Sequence, residues 1–313
     1  MPQPANNPQG LHPKLCVLIA YPYFTRQVHA FLAAQNKADY QLMVDSGAFT
    51  AKNKGTVIDV RDYGAFLQSL ADLRPLHAVQ LDVIGNPDAT RNNLDAMQAA
   101  GHDVMPVFTR GDSLQRLDQL YKTHDYVLLG GVAAGESRHN YLAWFMRRNH
   151  GRKVHWLGFS QMQYAKHFKP YSMDSSGWTS GLRYGQGHLY AGQGKMLPFN
   201  RATIAGGLSF NILQAGRNVG LHAGHLAALQ VAGSWAGGCV FPSDDPLSLP
   251  SRGIAAFFTA LSYVKLACEC RVRVGTMYYL AVNSELYMNT VFRAYAFLRA
   301  SGCLPRLRKA DAA

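Results

Sequence analysis

Residues 77–131 read HAVQLDVIGNPDATRNNLDAMQAAGHDVMPVFTRGDSLQRLDQLYKTHDYVLLGG. Short apolar runs at 77–82, 104–109 and 126–131 alternate with segments of helical spacing at 88–100 and 113–123. A buried strand reads as a continuous apolar run bounded by turn residues, whereas a helix lying on a sheet repeats its apolar positions every three or four residues. Strand, helix, strand in this order predicts parallel neighbours joined by right-handed crossovers.

The same alternation continues on both sides. Strand candidates at 15–20 and 41–46 precede it, those at 153–159 and 171–175 follow it, and helical patterns occupy 60–73 and 137–149. We therefore expect an α/β fold, a (β/α)8 TIM-like barrel. An open doubly wound sheet is the runner-up, but no glycine fingerprint of the dinucleotide type follows the first strand. After Trp178 the pattern changes. The stretch 180–207 is rich in Gly, Tyr, Gln and Arg and reads as a long inserted loop. From 208 to 305 the spacing is mainly helical, with candidates at 223–232, 254–270 and 285–300. No repeat or low-complexity linker divides the chain, so 1–313 is read as one domain.

Composition bounds the partners. With 48% hydrophobic residues the 313-residue chain can bury a substantial core, and 31 Lys and Arg against 19 Asp and Glu leave a net charge of +12. That balance suits a polyanion, or else is only a basic surface. The opening MPQPANNPQGLHP is not a secretory signal, and no apolar segment is long enough to span a bilayer, so a soluble, cytoplasmic protein with no membrane partner is expected. Cys16, Cys239, Cys268, Cys270 and Cys303 are odd in number and scattered, which fits reduced thiols better than a disulfide framework.

Three runs end on an aspartate followed by small or turn-forming residues: QLMVDSGAF at Asp45, HAVQLDVIGNP at Asp82 and KPYSMDSSGW at Asp174. In a barrel of parallel strands, the carboxyl edge is where catalytic groups collect. Taken singly, each acid reads first as a turn former or helix cap, ahead of catalysis. Converging on one rim, they suit acid/base and nucleophilic work on a polar substrate. Phe49, Phe108, Phe159 and Trp178 also fall at or beyond strand ends. Of these, Phe49 and Phe159 are candidates to stack on a base, with core packing as the alternative.

MVDSGAF, LDVIGNP, LLGGVAAGE (128–136), HWLGFS (155–160) and YSMDSSGW occur in the order and approximate spacing seen in guanine transglycosylases. The stretch 14–178 resembles the queuine tRNA-ribosyltransferase superfamily, and within it the DpdA-type enzymes that place 7-deazaguanines in DNA. The DSGAF and DSSGW forms are more similar to the phage-type DNA branch than to the tRNA branch. The resemblance implies that Asp174 is the nucleophile at the anomeric carbon of a guanosine and Asp45 the general acid/base. Asp82 would hydrogen-bond the guanine-like edge, Ser46 and Gly47 would shape the turn beside Asp45, and Gly130 and Gly131 would bring main chain close to the base. DNA and a 7-deazaguanine base are the implied partners, with no cofactor. A tRNA-guanine transglycosylase and a non-catalytic nucleic-acid-binding subunit are the alternatives.

The residue types fit that chemistry. Exchanging bases on one sugar with retained configuration takes two displacements, hence a carboxylate nucleophile, and a second acid must protonate the departing base. A carboxylate also accepts the paired donors on the Watson–Crick edge of guanine. Glu136 reads as a first-turn helix residue.

One departure concerns metal. The tRNA enzymes carry a structural zinc motif CxCxxC with a later histidine, whereas here Cys268 and Cys270 are followed by Arg273 and no histidine comes after them. Two thiolates do not complete a tetrahedral site, and no metal is expected. Cys239, Cys303, His222 and His225 are distant candidates whose plainer reading is core thiols and surface histidines. Basic clusters at Arg147, Arg148, Arg152 and Lys153, at Arg271 and Arg273, and at Arg306, Arg308 and Lys309 are candidate phosphate contacts or solvated faces.

Overall fold

A computed structural model describes residues 11–133, 137–232, 235 and 239–307; Glu136, Arg308 and Lys309 lie outside them. The first half follows the expected alternation. In chain order come β1 (Leu15–Ala20), α1 (Arg26–Ala33), β2 (Tyr40–Asp45), α2 (Ala48–Lys54), α3 (Val60–Ser69), β3 (Leu76–Ala78), α4 (Pro87–Ala99) and β4 (Val107–Phe108). Then follow α5 (Leu114–Thr123), β5 (Tyr126–Leu129), α6 (Arg138–Arg148), β6 (Lys153–Trp156), α7 (Met162–Phe168) and β7 (Ser172–Ser175). Several helices start where the sequence supplies an oxygen for the orphan amides of a first turn. Thr25, Asp59, Asn86 and Ser113 cap α1, α3, α4 and α5, and Pro87 opens α4 where its missing N–H costs nothing.

Beyond β7 the chain makes an excursion before one more strand. It runs through α8 (Gly177–Ser180), β8 (Gln186–Gly192), β9 (Lys195–Asn200), α9 (Arg201–Ala205), α10 (Phe210–Asn218), α11 (Ala223–Val231) and α12 (Ile254–Val274). Strand β10 (Met277–Val282) and α13 (Glu285–Ala300) follow. The eight-stranded sheet is parallel and curled, in the order β3-β2-β1-β10-β7-β6-β5-β4. Its last strand in sequence thus lies between β1 and β7, with Leu18 opposite Ala281 and Asp174 opposite Tyr279. MYYLAV, six apolar residues long, cannot be told from a helical segment by period alone, which is why it merges with the helical reading of 208–305.

The stretch 180–207 is not one long loop. β8 and β9 form an antiparallel hairpin with Gly192 opposite Lys195. Its two-residue turn holds Gln193 at φ 55° and Gly194 at φ 83°, the paired positive φ that matches hairpin twist. The hairpin docks on α12, where Thr259 and Ser262 hydroxyls accept the amides of His188 and Tyr190. Fifteen of the 21 residues of α12 are buried, so it is a core helix with no polar face to give it a clean period.

Two apolar groups flank the sheet. Cys16, Leu18, Met43, Val79, Val107, Leu128, Met277 and Tyr279 pack together on its concave side, while the larger cluster fills the space between sheet and helices. One isolated bridge joins the residue after β3 to a residue just before β4. Val79 is bridged in parallel to Met105, whose amide donates to Ala78 O at 2.8 Å.

Candidate active site at the carboxyl edge of the sheet

Because the strands are parallel, their carboxyl ends share one edge, and all three strand-end aspartates lie there. Asp45 is the last residue of β2, Asp82 lies in the loop between β3 and α4, and Asp174 is the third residue of β7. The turn after β2 joins two of them: Ser46 Oγ donates to Asp82 Oδ1 at 3.3 Å, and Gly47 N–H donates to Asp45 Oδ2 at 2.9 Å. Gly47 makes this turn possible. Its φ is +83°, and a Cβ there would sit 2.4 Å from Pro22 Cδ.

Asp174 is buried, and among the described residues its hydrogen bonds fall on one oxygen. Its Oδ1 accepts Gly158 N–H at 2.8 Å and faces His155 Nε2 at 3.0 Å. Behind the imidazole, Nδ1 meets Ser172 Oγ, and Ser172 in turn meets the Tyr126 hydroxyl. Serine, histidine and aspartate in contact suggest a hydrolase triad, but the order is inverted. Ser172 is fully buried beneath the histidine, and the carboxylate is the member nearest the rim, so the serine has no route to a substrate.

The acids influence one another. Burial pushes the Asp45 carboxyl up to about 7, helped by the negative charges of Asp82 and Asp174 and opposed by the Gly47 and Ser46 amides. Burial likewise raises Asp82 to about 6, against its own amide and the Ser46 hydroxyl. Carboxyls held near neutrality exchange protons readily at physiological pH.

The remaining sequence-derived residues distribute unevenly. Gly130 and Gly131 follow β5 directly, and Gly131 has φ +72° with Arg110 Cβ 3.1 Å from where its own Cβ would be. At Gly130 a Cβ would meet only ordinary contacts, the nearest at 3.5 Å. Phe49 is exposed on α2, four residues after Asp45 in the chain. Phe159 is buried against Trp156 and Tyr164 with the Arg138 guanidinium over its ring, and Phe108 and Trp178 are core residues.

The basic clusters sit at the other end of the sheet. Arg147 and Arg148 close α6, Arg152 and Lys153 lead into β6, Arg271 and Arg273 close α12 before β10, and Arg306 lies beside the segment entering β1. Several are engaged there: Arg148 over Trp144, Arg152 over Tyr121, and Arg273 paired with Glu269 at 3.0 Å. Exposed cations on the carboxyl edge instead include Arg26, Lys52, Lys54, Arg110 and Arg183.

Cys268 and Cys270 are buried in α12, where burial raises both thiols. Among the described residues no three His, Cys, Asp or Glu side chains group as a metal site would require. His222 and His225 cap α11 reciprocally, each ring nitrogen accepting the other's amide, with rings 3.6 Å apart. No helix among the described residues is long and apolar enough to cross a membrane.

His155, Ser172, Tyr126 and Gly158 were not singled out by sequence reasoning. A signal existed: in a strand, positions two apart share a face, so Ser172 accompanies Asp174 inward. Comparison with protein-family models, with curated proteins and with solved structures found no match for this chain.

Proposed function

We propose that this protein is a transglycosylase that exchanges guanine in DNA for a 7-deazaguanine base, such as 7-cyano-7-deazaguanine, on a sheet closed into a barrel. The observation that carries the reading is the convergence of Asp45, Asp82 and Asp174, two of them with raised carboxyls, on the carboxyl edge. The Val79–Met105 bridge and the concave cluster, which joins Val79 just after β3 to Val107 of β4, support closure.

In the first displacement a carboxylate oxygen of Asp174 bonds to C1′ as the C1′–N9 bond breaks, and the electron pair leaves with guanine. Asp45, held protonated near neutrality, gives the departing base its proton. In the second, Asp45 takes the N9 proton of the incoming base, N9 bonds to C1′, and Asp174 departs as carboxylate. Two inversions retain configuration. Asp82 accepts the paired N–H donors of the purine edge, while Ser46 keeps its carboxylate oriented. Phe49 has an exposed ring available for stacking, and the rim cations would meet the phosphates.

The test is release of radiolabelled guanine from DNA on addition of 7-cyano-7-deazaguanine, with tRNA assayed in parallel. Release from DNA that stops in Asp174→Ala supports the reading; exchange into tRNA alone changes the polymer; no exchange into either polymer rejects it.

A further inference from the structure

We propose that His155 is the positioning residue for Asp174: with the Gly158 amide it fixes Oδ1, so that Oδ2 is the atom presented for attack. The inference deepens the transglycosylase reading and rests on it. Both donors, His155 Nε2 at 3.0 Å and Gly158 N–H at 2.8 Å, converge on the same carboxylate oxygen, and among the described residues no hydrogen bond reaches Oδ2. Two donors on one oxygen set the rotation of the carboxylate and leave the lone pairs of the other unengaged.

The histidine is itself held in one tautomer by what lies beneath it. Burial raises the Tyr126 hydroxyl well above its ordinary range, so it stays protonated and able to donate to Ser172 Oγ. Ser172 then donates to His155 Nδ1, which leaves the ring proton on Nε2, pointing at Asp174. Every donor in the series Tyr126, Ser172, His155 is thus directed toward the carboxylate. With the proton on Nδ1 instead, an imidazole lone pair would face a carboxylate lone pair in a site from which water is excluded. The ring has no exposed surface, and the Tyr279 ring meets it edge-on at 5.9 Å, so rotation out of the site is blocked.

The arrangement serves both displacements. Before attack, the donors on Oδ1 orient the nucleophile. In the glycosyl ester Oδ1 is the carbonyl oxygen, and when Asp174 is expelled from C1′ the same N–H groups meet the charge returning to it. His155 itself forms no bond to substrate.

Two experiments test this. Long-range proton–nitrogen NMR on histidine-labelled protein at pH 7.5 is expected to show His155 protonated on Nε2 with Nδ1 bare, and a growing Nδ1–H population in Tyr126→Phe and Ser172→Ala. A wild-type ring protonated on Nδ1, or on both nitrogens, overturns the inference without reference to any activity. In the exchange assay His155→Gln is expected to lower kcat about 100-fold and Ser172→Ala about tenfold, with KM for the polymer within about threefold, and with slower formation of the covalent adduct in a single turnover. Ser172→Ala guards against a folding defect in His155→Gln. Variants that match an active wild type, or that change KM alone, overturn the inference and leave transglycosylation standing. An inactive wild type removes the function and this role together.

Discussion

Ser46 Oγ donates to Asp82 Oδ1 across 3.3 Å, which ties the turn leaving β2 to the loop leaving β3. The next residue donates its amide to Asp45, so one Ser-Gly turn holds both acids. Their titrations are coupled through the charge of Asp82 on Asp45. In the proposed reaction Asp45 must carry its proton when guanine leaves, so activity falls as pH rises through about 7. Asp82 must be ionised to accept the base, so activity falls below about 6. A narrow bell with its maximum between these values is expected for kcat/KM, the two limbs belonging to the pair. Asp82→Asn should flatten the acid limb.

The same carboxyl links function to stability, and the sign follows from proton counting. Asp45 keeps its proton in the folded protein up to about pH 7, whereas an unfolded chain releases it near pH ~4. The native state therefore binds more protons across that window, and stability declines as pH rises through it, levelling off above. Asp45→Asn removes the penalty while keeping an acceptor for Gly47 N–H. Urea unfolding should show the variant more stable by about 2 kcal/mol at pH 8 and no more stable at pH 4, a discounted value for a partly solvated rim group. Equal stability at pH 8 would show that the carboxyl is not perturbed.

Gly47→Ala tests the turn itself. The positive φ costs about 1–2 kcal/mol for a residue with a Cβ, and the overlap with Pro22 adds about 1–3 kcal/mol. A loss of about 2–5 kcal/mol in urea unfolding is expected, with activity falling further than occupancy of the folded state explains, because the Asp45 acceptor geometry moves with the turn. Gly55→Ala, with φ +64° and nothing within 4 Å, is the control and should cost only the backbone part.

What the sequence revealed, and what it hid, follows from which interactions are local. The seven strands of the first half were legible because each is a short apolar run bounded by turn residues and set between helical patterns, and the three aspartates because they break those runs. β10 stayed hidden because α12, buried on most sides, offers no contrast in period beside it. The hairpin around Gln193 and Gly194 carried its signal in the GQG turn, but its apolar alternation is diluted by Gly187, Gly192 and Pro198. The His155–Asp174 contact joins residues 19 apart in the chain, and only the parallel pairing of β6 with β7 brings them together.

Glu269 marks an interaction that should affect stability alone. It is buried in α12 and accepts from the Tyr190 hydroxyl at 2.8 Å, with Arg273 at 3.0 Å and Lys265 at 3.4 Å. Glu269→Ala leaves the buried Tyr190 hydroxyl without its acceptor, while Lys265 keeps the Cys303 carbonyl, and should cost about 2–3 kcal/mol in urea unfolding. The pH profile and KM of the remaining folded protein should be unchanged, since Glu269 lies in the last turns of α12, just before β10 and away from the carboxyl edge.

The last prediction separates charge that is merely present from charge that faces the site. The positively charged groups most conspicuous in sequence, Arg147, Arg148, Arg271 and Arg273, end helices that lead into strands, so they sit at the amino edge, away from Asp174. Neutralising Arg147 and Arg148 together should leave binding of single-stranded DNA and its salt dependence unchanged. Lys52, Lys54 and Arg110 follow β2 and β4 and stand exposed on the acidic rim. Each of these that contacts a phosphate releases a counterion on binding, so each replacement by glutamine should reduce the slope of log K against log salt by about 0.7 for a single strand. Fluorescence anisotropy at several salt concentrations reads both sets. A fall in slope for the amino-edge pair with none for the rim set would put the polymer on the opposite face of the sheet, where Asp174 could not reach it.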